Sequence, residues 1–162
     1  MKQVNKQVQL TFIQGDHRRN FMNYLLLADE SEIVVSEYIN EGDMFAIYTG
    51  EVLVGVAIFT FHSDQIVELK NIAIDHIYRG QGLGKSVIEE ACSLYRDQGV
   101  YKMIVGTANS SIANLAFYQK AGFRIAEIKK DFFLKYPEPI WENDIRAIDM
   151  VMFERIIHTR KV

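Results

Sequence analysis

Residues 75–86 of the chain read Asp75-His76-Ile77-Tyr78-Arg79-Gly80-Gln81-Gly82-Leu83-Gly84-Lys85-Ser86. An apolar strand pattern ends before this stretch, glycines follow at alternate positions, and a helical pattern begins after them. The first N–H groups of a helix have no backbone partner and lie at the positive end of its dipole, so they bind phosphate well. Glycine allows positive φ and lets a phosphate approach the backbone closely. The stretch therefore predicts a phosphate-binding loop at residues 79–85.

Three phosphate-binding motifs compete for this loop. A P-loop, G-x-x-x-x-G-K-[ST], matches Gly84-Lys85-Ser86, but Arg79 stands where its first glycine belongs. The dinucleotide fingerprint G-x-G-x-x-G fails because Lys85 stands where its third glycine belongs. The third motif, [QR]-x-x-G-x-[GA], is met by Arg79, Gly82 and Gly84. By itself this motif is weak, because a glycine-rich helix entry can also be a plain tight turn.

The segments on either side of the loop predict a strand, a helix and a second strand. Residues 66–75 read as a strand, and residues 101–107 are β-branched and apolar enough for a buried one. Between them, apolar residues recur at helical spacing and Gly99 is placed to end the helix. Two strands joined by a crossover helix form a right-handed parallel unit.

The rest of the chain predicts elements that complete a mixed sheet. Further strands are expected at residues 7–13, 44–49, 52–62, 123–128 and 145–153. Further helices are expected at residues 15–28, 31–40 and 112–121. Asp16 and Ser31 are placed as N-caps, Gly122 ends the last helix, and Gly50-Glu51 suits a two-residue hairpin turn. The predicted fold is α/β (α+β): a mostly antiparallel sheet of six to seven strands, flanked by helices, around a central β-α-β unit.

Composition restricts the class of protein. The 162 residues are 49% hydrophobic and 24% charged, which predicts a single domain spanning residues 1–162. A net charge of −3 and a pI near 5.8 argue against a nucleic-acid binder, which needs a basic surface. The one cysteine, Cys92, is expected to be buried in a helix and cannot form an internal disulfide. The first seven residues lack the apolar core of a secretory signal, and no run reaches the ~18 apolar residues of a membrane span. We therefore expect a cytoplasmic protein without membrane or nucleic-acid partners.

Two blocks of the sequence resemble the GNAT acetyltransferase superfamily. The first is Glu68-Leu69-Lys70-Asn71-Ile72-Ala73-Ile74, followed after four residues by the loop Arg79-Gly80-Gln81-Gly82-Leu83-Gly84. The second is Asn109-Ser110-Ser111-Ile112-Ala113-Asn114-Leu115-Ala116-Phe117-Tyr118-Gln119-Lys120-Ala121-Gly122-Phe123. The blocks occur in the family's order, which is more specific than either block alone. The resemblance covers most of the chain, is nearest to little-characterised bacterial members with a stretch like residues 137–143, and implies acetyl-CoA as co-substrate.

The resemblance also implies how acetyl-CoA would be held by the first block. The pantetheine arm would lie beside Ile72, Ala73 and Ile74 and pair with their backbone. The N–H of Ile72 would point toward the thioester oxygen, where negative charge develops during acyl transfer. The loop residues 79–85 would bind the pyrophosphate, with the N–H groups of residues 81–85 as donors.

The second block would supply further contacts and an acid. Asn109 and Asn114 would hydrogen-bond the pantetheine region, and Phe117 would pack along the arm; the alternative for Asn114 is an ordinary solvated helix residue. Tyr118 matches the family's usual general acid, which protonates the departing CoA sulfur. Its alternative is a half-buried aromatic residue of an amphipathic helix.

The resemblance also implies a proton acceptor. Glu68 matches the carboxylate that histone-modifying members use as a general base, and it would act through water because Ile72 lies roughly 13 Å further along a flat strand. The alternative is an ordinary polar strand residue paired with Lys70. His62 and His76 lack the spacing and partners of a metal site, so no metal is predicted. The expected mechanism is direct attack of the amine on the thioester in a ternary complex, without an acyl-enzyme.

The acceptor side is predicted from the family's usual arrangement. It implicates residues 29–32, Glu37 and the aromatic and acidic segment 132–144, which would suit a cationic amine. The alternative is that the acids favour helix dipoles and the aromatic residues cover a sheet edge or form a homodimer seam. The predicted function is acetyl transfer to a primary amine of a small molecule or peptide. A non-catalytic acyl-CoA-binding or regulatory module with the same fold is the alternative.

Overall fold

The computed structural model describes residues 7–158. The prediction that no secretory signal is present rests on the first seven residues, six of which lie outside the described residues. The strands are β1 (Gln9–Phe12), β2 (Asp43–Thr49), β3 (Val52–Phe61), β4 (Ile66–Ile74), β5 (Lys102–Ala108), β6 (Arg124–Lys129), β7 (Trp141–Glu142), β8 (Ile145–Arg146) and β9 (Met150–Ile156). The α-helices are α1 (Met22–Leu25), α2 (Glu32–Tyr38), α3 (Leu83–Asp97) and α4 (Ile112–Lys120), and 3₁₀ helices span Gly15–Phe21, His76–Tyr78 and Phe132–Lys135.

Seven of the described strands form one mixed sheet in the order β1-β2-β3-β4-β5-β9-β6. β4 and β5 are parallel, as a right-handed crossover through α3 requires. The pairs β1–β2, β2–β3, β5–β9 and β6–β9 are antiparallel. The predicted mixed, mostly antiparallel sheet flanked by helices is therefore confirmed.

Several predicted caps and turns are present. The Ser31 hydroxyl accepts a hydrogen bond from the N–H of Val34 at 3.3 Å and so caps α2. Gly50 has a φ of 59° in the turn that joins the paired residues Thr49 and Val52. Gly99, with a φ of 81°, follows the end of α3. These residues were identifiable because their chemistry acts within a few residues of chain.

The predicted strand at residues 145–153 is only partly correct, since residues 150–153 belong to the last strand of the sheet and residues 145–149 do not. Ile145–Arg146 instead pairs with Trp141–Glu142 in a separate hairpin, whose turn residues Asn143 and Asp144 both have positive φ. The last sheet strand begins only at Met150. The break arises because the N–H groups of Ile148 and Asp149 donate to the side-chain oxygen of Asn109.

The predicted helix at residues 15–28 is also only partly correct. Its first part is a 3₁₀ helix that follows Gln14, and Asp16 lies within its first turn instead of capping it. Arg18 is buried here and donates hydrogen bonds to the carbonyls of Ile39, Glu41 and Gly42. Such a partner, more than 20 residues away in sequence, could not be read from local pattern.

Two compact units can be distinguished in the described part of the chain. The first comprises residues up to Thr60 together with Asn71–Leu94, and its core contains Leu25, Val35, Ile58 and Ala73. The second comprises Phe61–Lys70 and residues from Tyr95 onward. In the second unit, Phe133 and Tyr136 pack against a small cluster formed by Ala108, Ile140 and Ala147. Among residues 7–158, no helix is both long and apolar enough to cross a membrane.

Candidate active site

The end of β4 and the start of α3 hold the predicted phosphate loop in a defined shape. The Asp75 N–H donates to the carbonyl of Val54 at 2.8 Å. The Asp75 carboxylate accepts from the N–H of Ile77 at 3.2 Å and caps the short 3₁₀ helix. Arg79 donates from Nε to the carbonyl of Ile74 at 3.0 Å, so its side chain ties the loop to the end of the strand.

The loop itself requires glycine for conformational reasons. Gly80 and Gly82 have φ values of 74° and 78°, a region that residues with side chains rarely adopt. A Cβ added at either position would meet no other atom within 4 Å, so open space lies in front of the loop backbone. A phosphate group can enter that space only because no side chain occupies it.

The first turn of α3 provides backbone N–H groups that can donate hydrogen bonds to a phosphate. The first helical hydrogen bond runs from the Ser86 N–H to the Gly82 carbonyl at 3.1 Å, and the Ser86 hydroxyl donates to the same oxygen. The N–H groups of Leu83, Gly84 and Lys85 precede that bond and have no carbonyl of a preceding turn to bind. Leu83 is buried and anchors the turn, while Lys85 is exposed. These residues fit the diphosphate of acetyl-CoA, which needs several aligned donors and positive potential.

The strand before the loop extends beyond its ladder with β5. Its ladder with β5 runs from the pair Ile66 and Lys102 to the pair Leu69 and Val105. β4 continues to Ile74, so its last residues have no partner in that ladder. Ala73 is buried, and Ile72 and Ile74 are half-buried. On the side that faces β5, the backbone beyond this ladder suits an extended polar chain that binds like an added strand.

Tyr118 lies on α4 and is almost completely buried. Its ring contacts Phe117, Phe123 and Phe153, with centroid separations of 5.2, 5.8 and 5.8 Å. Burial raises the pKa of Tyr118 from 10.0 to about 12. The phenol therefore keeps its proton at neutral pH, which is the state that an acid needs before it donates.

The other predicted residues of the second block have different surroundings. Asn109 uses its side chain to hold residues 146–149: its oxygen accepts from the N–H groups of Ile148 and Asp149, and Nδ2 donates to the Arg146 carbonyl. These bonds give Asn109 a structural function that the sequence did not suggest. Asn114 is exposed and donates to the Thr107 hydroxyl at 3.4 Å, and Phe117 is half-buried.

Glu68 has two basic partners. His62 Nε2 lies 2.7 Å from one carboxylate oxygen of Glu68, and Lys70 Nζ lies 3.6 Å from the other. The contact with Lys70 was considered from the sequence, whereas the contact with His62 was missed. The signal was available, since His62 and Glu68 flank the short turn at residues 63–65 and the His62 N–H bonds to the carbonyl of Ile66.

Some of the residues predicted to bind the acceptor amine hold other parts of the protein in place. The Asp29 carboxylate accepts from the Tyr38 hydroxyl at 2.9 Å, and that hydroxyl accepts from the buried amide of Asn71 at 3.0 Å. Burial, with the Asp29 charge as a second cause, raises the pKa of Tyr38. In the segment 132–144, Phe133 and Tyr136 belong to a small core, whereas Trp141 is 63% exposed. Trp141 is therefore the most exposed aromatic side chain of this segment.

Metal ligands were also sought. Within residues 7–158, no group of three or more His, Cys, Asp or Glu side chains is arranged to hold a metal ion. The expectation that no metal takes part stays a prediction.

Comparison with known proteins gives the family. The model of the acetyltransferase (GNAT) family matches residues 12–123. The uncharacterized N-acetyltransferase YvbK of Bacillus subtilis (strain 168) is 41% identical over 128 residues, which are 78% of this chain and 83% of that protein.

Solved structures agree with this assignment. A GNAT family acetyltransferase from Elizabethkingia anophelis with acetyl-CoA bound has a TM-score of 0.86 and 30% identity, covering 94% of this chain and 99% of that one. A Bacillus subtilis acetyltransferase in complex with CoA has a TM-score of 0.78 and 36% identity, covering 91% and 96%. The chain therefore belongs to the GNAT acetyltransferase family and is an acetyl-CoA-dependent N-acetyltransferase.

Proposed function

We propose that this enzyme transfers the acetyl group of acetyl-CoA directly to a primary amine of a small molecule or peptide within a ternary complex. The observation that carries the proposal is the loop at Gly80 and Gly82, where positive φ leaves open space before the first N–H groups of α3. A thioester donor whose diphosphate is fixed there needs only a neutral amine and a proton donor to react.

The loop and the strand before it would hold the donor. The N–H groups of residues 81–85 would bind the diphosphate, and the charges of Arg79 and Lys85 would add attraction. The backbone of residues 72–74 would pair with the pantetheine arm, and the N–H of Ile72 would stabilise the negative charge that develops on the thioester oxygen.

The helix α4 would contribute to binding and to chemistry. Asn114 and Phe117 would contact the pantetheine region. Asn109 would contribute mainly by holding residues 146–149, since its oxygen and one N–H are already in use. Tyr118 would donate its proton to the CoA sulfur as the carbon–sulfur bond breaks.

Direct attack is favoured over an acyl-enzyme. The chain has a single cysteine, Cys92, and its side chain is fully buried within α3. A buried thiol of this kind cannot reach a thioester without local unfolding. The amine nitrogen would therefore form its bond to the acetyl carbon in the same step sequence that releases CoA as thiol.

The acceptor is proposed to be cationic. Glu30, Glu32 and Glu37 are exposed, and the Trp141 ring is open to solvent. Carboxylates attract ammonium groups, and an indole face binds cations. Asp29 would act by keeping the Tyr38 hydroxyl in place, because that contact already occupies one of its oxygens.

The proposal is tested by supplying acetyl-CoA with a panel of spermidine, an aminoglycoside, a lysine-containing peptide and a neutral aryl amine. Free thiol should be released only with an accepted amine, and mass spectrometry should find one added acetyl group on it. A higher kcat/KM for neutral or acidic acceptors would contradict the cationic preference. Acetylation that persists on the protein itself as an obligatory intermediate would contradict direct attack.

A further inference from the structure

The direction of the backbone along β4 decides which of its N–H groups can meet a thioester. The Asp75 N–H donates to the Val54 carbonyl on β3, and a Cβ added to Gly55 on β3 would collide with the Ala73 carbonyl oxygen. The backbone groups of residues 73 and 75 therefore face β3. Because successive residues of a strand face opposite edges, the N–H of Ile72 faces the other edge, on which β5 is the neighbour. This is the edge on which the pantetheine arm is proposed to bind.

The same part of β4 lacks the support of β5. The ladder between the two strands ends at the pair Leu69 and Val105, whereas β4 continues to Ile74. A strand with fewer hydrogen bonds to its neighbours is held less firmly. An N–H that stabilises a transition state has to be fixed beforehand, because its reorientation during the reaction would cost free energy. A further anchor close to Ile72 would meet this need.

The side chain of Asn71 supplies such an anchor from the core of the first unit. It is 5% exposed, and its Nδ2 donates to the Leu25 carbonyl at 3.1 Å and to the Tyr38 hydroxyl at 3.0 Å. The Tyr38 hydroxyl in turn donates to Asp29 Oδ2 at 2.9 Å. A carbonyl can only accept, and a hydroxyl that gives its hydrogen to a carboxylate presents a lone pair to the amide. Each hydrogen-bond direction in this network is therefore determined by its partner.

Packing alone does not explain an amide at position 71. Among the residues that the structure describes, Asn71 Oδ1 is buried and has no hydrogen-bond partner. A buried carbonyl oxygen without a partner costs folding free energy, which an apolar side chain of similar shape would avoid. The amide is better explained by what its Nδ2 holds, which is α1 through the Leu25 carbonyl and α2 through Tyr38.

We propose that Asn71 and Tyr38 are positioning residues, which fix the peptide between residues 71 and 72 so that the Ile72 N–H meets the thioester oxygen. This inference rests on the proposed function. When a neutral amine bonds to the acetyl carbon, the π electrons of the carbonyl move to its oxygen and return as the carbon–sulfur bond breaks. The nitrogen loses one proton and the departing sulfur gains one, and an acceptor that arrives as ammonium has first released another to solvent. Asn71 and Tyr38 neither give nor take a proton and act through geometry alone.

The positioning can be measured without an acceptor. In ¹⁵N relaxation-dispersion NMR of the free protein, the Ile72 amide should show little exchange in the wild type and clear microsecond-to-millisecond exchange in Tyr38→Phe and Asn71→Leu. Val35→Ala is the matched control, because Val35 is a fully buried residue of α2 in the same core and does not belong to the network. Exchange at Ile72 in Val35→Ala, or none in the two network variants, would overturn the proposal.

The expected catalytic effect is a loss of kcat without a loss of binding. Tyr38→Phe should lower kcat about 10-fold and Asn71→Leu up to about 10²-fold, because the Ile72 N–H remains but is no longer held in place. KM for acetyl-CoA should stay unchanged, and so should the rise in Tm caused by CoA, which has no thioester oxygen. Val35→Ala should keep the wild-type kcat. A smaller rise in Tm with CoA in the network variants would mean that the network holds the arm, and would overturn the proposal.

A double substitution separates this role from stability. Asn71→Leu combined with Tyr38→Phe removes both polar groups together. Urea denaturation should find it no less stable than Tyr38→Phe alone, which leaves an amide N–H buried without its partner. Its kcat should nevertheless stay as low as that of Asn71→Leu, and recovery of kcat together with stability would overturn the assignment. Lack of turnover by the wild type with every primary amine would instead overturn the proposed function, while the NMR comparison would still decide whether the network holds Ile72.

Discussion

At the scale of the residue, burial decides what Tyr118 can do. Its hydroxyl sits on a ring enclosed by three phenylalanines, and burial is the cause of its raised pKa. An acid must hold its proton until the leaving group needs it, and the raised pKa keeps the Tyr118 phenol protonated at neutral pH. The same aromatic enclosure fixes the ring, so the hydroxyl is positioned before acetyl-CoA binds.

Tyr118→Phe should therefore lower kcat about 10²-fold and leave the KM for acetyl-CoA unchanged, because the phenyl ring keeps its packing while the proton donor is lost. Steady-state kinetics with an accepted amine measures both constants. Phe117→Leu serves as the comparison, since it should raise KM more than it lowers kcat. Unchanged turnover of Tyr118→Phe would remove the assignment.

The same residue predicts a pH dependence of stability. The folded-state pKa of Tyr118 is raised from 10.0 to about 12. The contribution of the protonated phenol to the unfolding free energy is therefore complete below pH 10 and is lost as the pH rises toward 12. Between pH 8 and pH 11 the wild type should lose on the order of 1 kcal/mol more unfolding free energy than Tyr118→Phe. Urea denaturation at the two pH values measures this difference. The ionisation of Tyr24 and Tyr38 contributes equally in both proteins and so cancels. Parallel losses in the two proteins would show that the phenol ionises as readily when folded.

At the scale of the element, the helix entry and the helix exit of α3 offer a matched pair of glycines. Gly82 and Gly99 have φ values of 78° and 81°, and a Cβ at either would meet nothing within 4 Å. Gly82→Ala and Gly99→Ala should each cost about 1 kcal/mol of stability, because the strain is the same. Only Gly82→Ala should raise the KM for acetyl-CoA, on the order of tenfold. Equal KM values in the two variants would mean that the loop does not bind the diphosphate.

The strand before the loop depends on a close approach within the sheet. A Cβ on Gly55 would lie 2.1 Å from the carbonyl oxygen of Ala73 and 3.1 Å from the Cα of Ile74. Gly55→Ala must therefore displace β4, which should cost roughly 1–3 kcal/mol and weaken acetyl-CoA binding. Gly15→Ala, where nothing lies within 4 Å, is the control. Chemical denaturation and acetyl-CoA KM are the measurements, and a Gly55→Ala protein as stable as the control would contradict the packing argument.

At the scale of the whole molecule, the sequence predicted most elements because their signals are local. Glycine spacing, the Ser31 cap and apolar periodicity all act within a few residues, and the parallel pairing of β4 with β5 follows from the crossover rule. Contacts between distant segments could not be predicted in this way. Asn109 breaks the strand expected at residues 145–153, and Arg18 binds carbonyls near Gly42. Their partners depend on the folded arrangement.

The residues of the candidate site also fall into two groups, those that were predicted from the sequence and those that were not. The loop at residues 79–85 and the position of Tyr118 were predictable from motif and chemistry. The pairing of Glu68 with His62 was missed although its signal was local, since the short turn at residues 63–65 brings the two side chains together. The structural role of Asn109 was also not predicted, because a motif records a residue type and not the partners of its hydrogen bonds.

Ligand binding should stabilise the whole molecule in a way that identifies the group being recognised. CoA at a concentration of 100 times its Kd should add about 2.7 kcal/mol to the unfolding free energy, which for a chain of this size is roughly 5–10 °C in Tm. Pantetheine lacks the diphosphate and the nucleotide, so it should shift Tm far less at equal concentration. Gly82→Ala should reduce the CoA shift, while Gly99→Ala should keep it. Equal shifts with pantetheine and CoA would locate recognition in the arm alone and remove the loop from the site, whereas no shift with either would contradict CoA binding by this chain.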